Sequence, residues 1–314
     1  MIPPVEIEAR ISRTRCALQM MHARGITLIG TMETVEDIKQ ILSNLHREQI
    51  MRIRVMCLDD PTPDKIKFCT SMNDEFLQVT GFKSFLDGSL GSRTAKMSEP
   101  WKDVEGDGVW AGVAASGMLN DWIATVTNSN FSPVVHAIGD QAVSLALDAL
   151  ADVSEELIPR IEHAQFIADS DFEKIRNKWF GIQPLHQPHD VLTASIAVNE
   201  QQASLLHNWR RMVDAGAKLS FGSDWPVAPP DPLAAMRVAI EQGLSRSEAL
   251  AMSTSIAADS LRTPKAGRFE IGSYGDVVVL DRNPLECDWK KQPPSVIMTI
   301  LGGKVLHERD LLNA

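Results

Sequence analysis

Cysteine is scarce in this chain of 314 residues: Cys16, Cys57, Cys69 and Cys287 lie far apart, and no Cys-x-x-Cys occurs. That spacing fits neither a zinc knuckle nor a disulfide scaffold, and reduced thiols in a cytoplasm are the simplest account. Long apolar runs are missing as well. No window approaches the roughly 20 apolar residues of a membrane span, and the N-terminal MIPPVEIEARISRTRC carries charges where a signal peptide needs an apolar stretch. The expectation is a cytoplasmic protein with no membrane partner. Basic runs are absent too: with a formal net charge of -10 and a pI near 5.3, nucleic acid is not an expected partner. Phosphate loops are lacking, since GSLGSR has neither GxGxxG nor GxxxxGK[ST] spacing. Finally, none of the eight histidines belongs to a His-x-His pair.

What is present is an ordinary globular composition, 44% apolar and 23% charged. Apolar runs alternate with amphipathic stretches, the pattern of parallel strands covered by helices. Strands are expected at ITLIGTM, MRIRVMC, FLQVTGFKSFLDG, SPVVHAIG, PRIEHAQ, FGIQPLH and KLSFGSDWP. Helices are expected at 8–24, 34–48, 62–73, 116–129, 141–153, 169–179, 198–215, 232–242 and 245–261. The polar, Trp-containing stretch 96–115 exceeds a plain connection and is a candidate lid or pocket wall. After Pro264 the texture changes to short strands with glycine punctuation, and Gly302-Gly303 marks a hairpin turn. The expected division is a (β/α) body over 1–263 and a small β module over 264–314. Seven strand–helix units suit either an open sheet or an eight-stranded barrel missing one strand, and that strand would precede residue 1.

Four residues near the ends of the apolar runs carry chemistry: Lys83, His136, His163 and Asp224. Two histidines ending consecutive strands suit a divalent ion better than two unrelated buried imidazoles, although each alone fits a hydrogen-bonded core histidine. Lys83, inside a strand, needs either a carboxylate partner such as Asp87 or a neutral state. Asp224, where a strand breaks into a loop, suits metal contact and general-base work. It also suits helix capping, for which Asp231 is better placed.

The segments GFKSFLDGSLGSRTA, VVHAIGDQAVSLALDAL, RIEHAQ, IQPLH, LSFGSDWPVAPPDPLAAM and GDVVVLDRNPL together resemble the amidohydrolase superfamily. The resemblance is to its family 3 branch, with YtcJ-like and N-substituted formamide deformylase-like members. It implies a distorted (β/α)8 TIM-like barrel, here incomplete with strands two to eight, plus part of a composite β-sandwich. It implies one or two divalent metals, usually zinc, and hydrolysis of amide-type carbon–nitrogen bonds in a small-molecule substrate. Lys83, as a carbamate bridge, His136, His163 and Asp224 would be the ligands, Asp224 also the catalytic base. Asp87, Arg93, Gln183, His186 and Trp225 would line the substrate pocket. Members of the family carry a His-x-His pair on the first strand, and this chain has none. The expected consequences are unpaired strand edges and a chain that is homo-oligomeric or completed by another segment. The alternative reading is a non-catalytic remnant or subunit acting through association.

Overall fold

The computed structural model describes residues 5–310. Seven parallel strands follow one another in sequence order and curl into a half-barrel: β1 Leu28–Glu33, β2 Arg52–Cys57, β3 Leu77–Phe85, β4 Ser132–Ala137, β5 Arg160–His163, β6 Trp179–Ile182 and β7 Lys218–Phe221. Every position of β2, β4, β5 and β6 is buried. Burial on both faces is why these strands read as continuous runs rather than as an alternation.

The period of two sorts the faces. Ile53, Val55 and Cys57 of β2, Val135 and Ala137 of β4 and Ile161 of β5 join the main core beneath the helices. The intervening residues point into the half-barrel, where Met56 and Val134 pack with Leu261. Leu261 reaches β1 so closely that a Cβ on Gly30 would lie 2.6 Å from its Cδ2, and the leucine side chain would have to shift to admit it.

Covering helices include Ile7–His22, Pro63–Ser71, Leu119–Asn128, Asp140–Ala149 and Pro232–Glu241. Three expected helices need correction, and one was not expected. The expected helix at 169–179 is only a short turn, Asp169–Asp171, followed by irregular chain with Asn177 at φ 61°. The buried Asp171 carboxylate accepts from the Ser144 hydroxyl and pairs with Lys174, which ties this segment down as a connection. The expected helix at 198–215 breaks into Glu200–Ala203 and Trp209–Asp214. His207, at φ 51°, interrupts it by donating its N–H to the Gln165 carbonyl at 2.8 Å and placing Nε2 2.9 Å from Asp190 Oδ2. A further helix, Gln187–Ala197, occupies a stretch to which the sequence assigns none. The expected helix at 245–261 splits at Thr254 into Arg246–Ser253 and Ser255–Ser260.

The C-terminal part forms an antiparallel sheet of β8 Val277–Leu280, β9 Val296–Leu301 and β10 Lys304–Glu308, ordered β10-β9-β8. Gly302 and Gly303 turn the hairpin with φ of 57° and 82°. Only VVVL of the preceding stretch forms a strand, while Phe269 and Ile271 stand in solvent. Arg52 fastens this sheet to the half-barrel. Its Nε donates to Asp276 Oδ2 at 2.7 Å, and its guanidinium lies 3.7 Å from the Tyr274 ring centroid.

Candidate metal centre

The strand register sets the layers of the concave face. Phe85 aligns with His136, His136 with Glu162, Glu162 with Gly181 and Gly181 with Ser220. One step toward the N-terminal ends, Lys83 aligns with Val134 and Val134 with Arg160. The Arg160 Nε donates to Glu162 Oε1. Gly181 leaves space for that carboxylate, since a Cβ there would lie 2.0 Å from Glu162 Oε2.

Lys83 is buried, donates from Nζ to its neighbour Ser84 O at 3.1 Å and lies 4.0 Å from the Phe85 ring centroid. Burial lowers its pKa to about 8 against the opposing pull of Glu162. His136 places Nε2 2.8 Å from Gly88 O. Burial, reinforced by Lys83, lowers its pKa to about 4, so the ring is neutral at neutral pH. With Nε2–H donating to that carbonyl, Nδ1 is the free acceptor.

His163 closes β5, and strand alternation would send its ring toward the helices with Ile161. A φ of 72° breaks that alternation, and the ring stands 4.5 Å from that of His136. Its Nδ1 lies 2.9 Å from Gln183 Oε1, so Nδ1 carries the proton and Nε2 is the acceptor. Burial first, then His136 and Lys83, hold its pKa well below the usual histidine range. His186 ends the short turn Pro184–His186 after β6, and its buried Nε2 has no hydrogen-bond partner. Asp224 follows β7 at φ 53°. It is exposed, yet desolvation on its inner side raises its pKa while His186 opposes the rise.

Ligand atoms of His163, His186 and Asp224 all lie within 4.8 Å of one another. The structure therefore brings together two of the four expected ligands, with His186 from the expected pocket lining as the third member. Lys83 and His136 stand beside this cluster on β3 and β4. Of the other expected pocket residues, Gln183 orients His163, and Trp225 is solvent-exposed beside Asp224. Arg93 closes its own loop, donating to Asp103 Oδ2 at 2.7 Å and to Leu90 O at 3.0 Å. Asp87 is buried and accepts from the N–H groups of Lys96, Ile138 and Gly139 at 2.9, 3.1 and 2.8 Å. Burial raises its pKa to about 6. It staples loops, and its Oδ1 lies 3.4 Å from His136 Nε2.

Sequence reasoning passed over Glu162 and Phe85. Arg160 and Glu162 are two apart on a strand, hence on one face, and an Arg–Glu pair at that spacing inside a buried run marks a polar interior. Phe85 gave no comparable signal.

A family model described as "Amidohydrolase family" matches residues 2–307. The Arabidopsis thaliana protein LONG AFTER FAR-RED 3 is 27% identical over 259 residues, 76% of this chain and 44% of that protein. The N-substituted formamide deformylase of Arthrobacter pascens is 26% identical over 225 residues, 64% of this chain and 41% of that enzyme. The crystal structure of an uncharacterized metal-dependent hydrolase from Pyrococcus furiosus superposes with a TM-score of 0.79 at 27% identity, covering 90% of this chain and 62% of that one. This chain spans about half the length of the curated relatives it matches.

Proposed function

Because the chain belongs to the amidohydrolase family, we propose that the His163, His186 and Asp224 cluster is the centre of a metal-dependent hydrolase that cleaves amide-type carbon–nitrogen bonds in small molecules. The observation that carries this reading is the convergence of three donors within 4.8 Å, one of them the buried and unpartnered His186 Nε2. A buried imidazole nitrogen without a partner is costly unless something occupies it. Two imidazoles and one carboxylate are the donor set of a zinc site that keeps a position open. Zinc is the proposed ion, and when bound it supplies Lewis acidity that polarises a carbonyl and acidifies water.

The residues divide the remaining work. Gln183 holds the tautomer and direction of His163. Asp224, exposed to the cleft, takes a proton on its carboxylate from the attacking water and returns it to the departing nitrogen. Its raised pKa suits that exchange. Lys83 is the proposed carrier of a carbamate, formed when the neutral amine adds carbon dioxide and releases a proton. A pKa near 8 leaves a usable neutral fraction at neutral pH.

Calorimetric zinc titration and release of amine from N-formyl and N-acyl amines test the reading. His163→Ala, His186→Ala and Asp224→Ala should each weaken zinc binding by about tenfold or more and abolish turnover. Wild-type zinc affinity in all three variants would overturn it. A second reading, a non-catalytic chain acting through association, is favoured by β1 and β7 standing as the two ends of the sheet. A zinc-loaded monomer with measurable turnover would remove that reading.

A further inference from the structure

His163 reaches the cleft through a backbone bent out of its strand. It adopts φ 72° and Ala164 follows at 44°, two consecutive residues with positive φ of which neither is glycine. Such conformations cost energy and persist only where the surroundings over-determine them. One restraint comes from β4, where Ala137 O accepts the Ala164 N–H at 2.9 Å. The other comes from Gln165, which is buried. Its Nε2 donates to Asp190 Oδ2 at 2.6 Å, and its carbonyl accepts the His207 N–H at 2.8 Å. His207 Nε2 lies 2.9 Å from the same Asp190 oxygen, so one carboxylate oxygen gathers both side chains. Phe166, next in the chain, bridges to Leu206 and donates its N–H to Ile138 O at 3.0 Å.

The same knot reaches the second imidazole. Asp190 sits in the first turn of Gln187–Ala197, about one helical turn beyond His186. Gln183, on the other side of His186 in the sequence, meets His163 Nδ1 at 2.9 Å. His186 therefore lies between two tie points to the chain around His163, one through Gln183 and one through Asp190. The first orients the His163 ring, and the second holds the turn that delivers it.

We propose that Asp190 and Gln165 are positioning residues of the donor cluster: by clamping the chain after His163 to the helix after His186, they hold the turn at His163 and Ala164 and set the separation of the two imidazoles. The inference rests on reading the cluster as a metal centre, and a metal-free measurement keeps the two apart. A carboxylate in the first turn of a helix also complements the positive end of the helix by charge alone. Asp190→Asn separates these roles, since its carbonyl oxygen can accept from both Gln165 and His207 while carrying no charge.

Zinc is titrated calorimetrically into the full chain and its variants, and amide hydrogen exchange is followed without metal. Asp190→Ala and Gln165→Met should each weaken zinc binding by about tenfold, the lower end for residues that orient a metal ligand. Asp190→Asn should return to within about threefold of the parent, the difference between a charged and a neutral acceptor. The double variant Asp190→Ala with Gln165→Met should bind about as the weaker single does, because both remove one contact. Without metal, the Ala164 and Phe166 amides should exchange about tenfold faster in Asp190→Ala and Gln165→Met, while those of β2 stay protected. Ser195→Gly, on the exposed side of the same helix, loosens the helix without touching the clamp and should leave zinc affinity unchanged.

Zinc binding as weak in Asp190→Asn as in Asp190→Ala overturns the inference in favour of a charge effect. Parent affinity in Asp190→Ala and Gln165→Met, an equal loss in Ser195→Gly, or unchanged exchange at Ala164 overturns it as well. A parent chain that binds no zinc removes the metal reading, and the exchange rates then decide the clamp by themselves.

Discussion

Lys83 shows how a single side chain ties stability to chemistry. Its pKa falls from the ordinary 10.5 to about 8 in the fold, mainly through burial. While its amine is unmodified, the folded chain at pH 7 therefore holds a buried ammonium at a cost of up to about 3 kcal/mol. The folded state releases this proton near pH 8 and the unfolded state only near 10.5. Stability should accordingly rise across that window as the penalty disappears. Lys83→Met should melt higher than the parent at pH 7, with the advantage gone above about pH 10.5. Melting both proteins across pH 6–11 checks the sign, and a constant difference would contradict it. Gly181 makes a second case. A Gly181→Ala methyl would press on Glu162 Oε2, and Arg160 holds that carboxylate in place. A loss of about 1–3 kcal/mol in urea unfolding is expected, largely relieved in a Glu162→Ala background.

Among the elements, the loop after β3 is held by one carboxylate. Asp87 Oδ2 accepts from the N–H groups of Lys96 and Gly139, and Oδ1 from Ile138, so the chain on both sides of the cleft wall depends on it. Asp87→Asn places an amide NH2 against at least one of those donors, costing about 1–3 kcal/mol locally. Hydrogen exchange at Lys96, Ile138 and Gly139 should accelerate together, while the β6 amides stay protected. The strands were legible in the sequence because doubly covered parallel strands are written as apolar runs, and Lys83, His136, His163 and Asp224 were legible as their chemical punctuation. Helix ends were less so. Gln187–Ala197 was not expected, and Pro188 occupies its first turn, where proline is tolerated. The missing stretch of helix around His207 follows from contacts with Gln165 and Asp190, some 40 and 17 residues away in the chain, which no local pattern records. The convergence of His186 with His163 and Asp224 was also hidden. It depends on the left-handed backbone at His163 and Asp224, conformations that neither residue type announces.

On the scale of the whole molecule, the half-barrel leaves β1 and β7 as sheet ends. Each offers backbone donors and acceptors along one side, and such edges pair with other strands when nothing covers them. Concentration-dependent association is therefore expected in light scattering, whereas a strict monomer from micromolar to millimolar concentration would refute it. Arg52 bridges the half-barrel to the small sheet through Asp276 and Tyr274, so the two parts should unfold together. The placement of the donor cluster has a different consequence. His163 ends β5, and His186 and Asp224 follow β6 and β7, three neighbours in space that are also three neighbours along the chain. Closing the sheet into a ring is not what gathers them. Residues 160–224 form one uninterrupted stretch that carries all three groups, so their convergence depends on how β5, β6 and β7 pack side by side and not on where β1 lies.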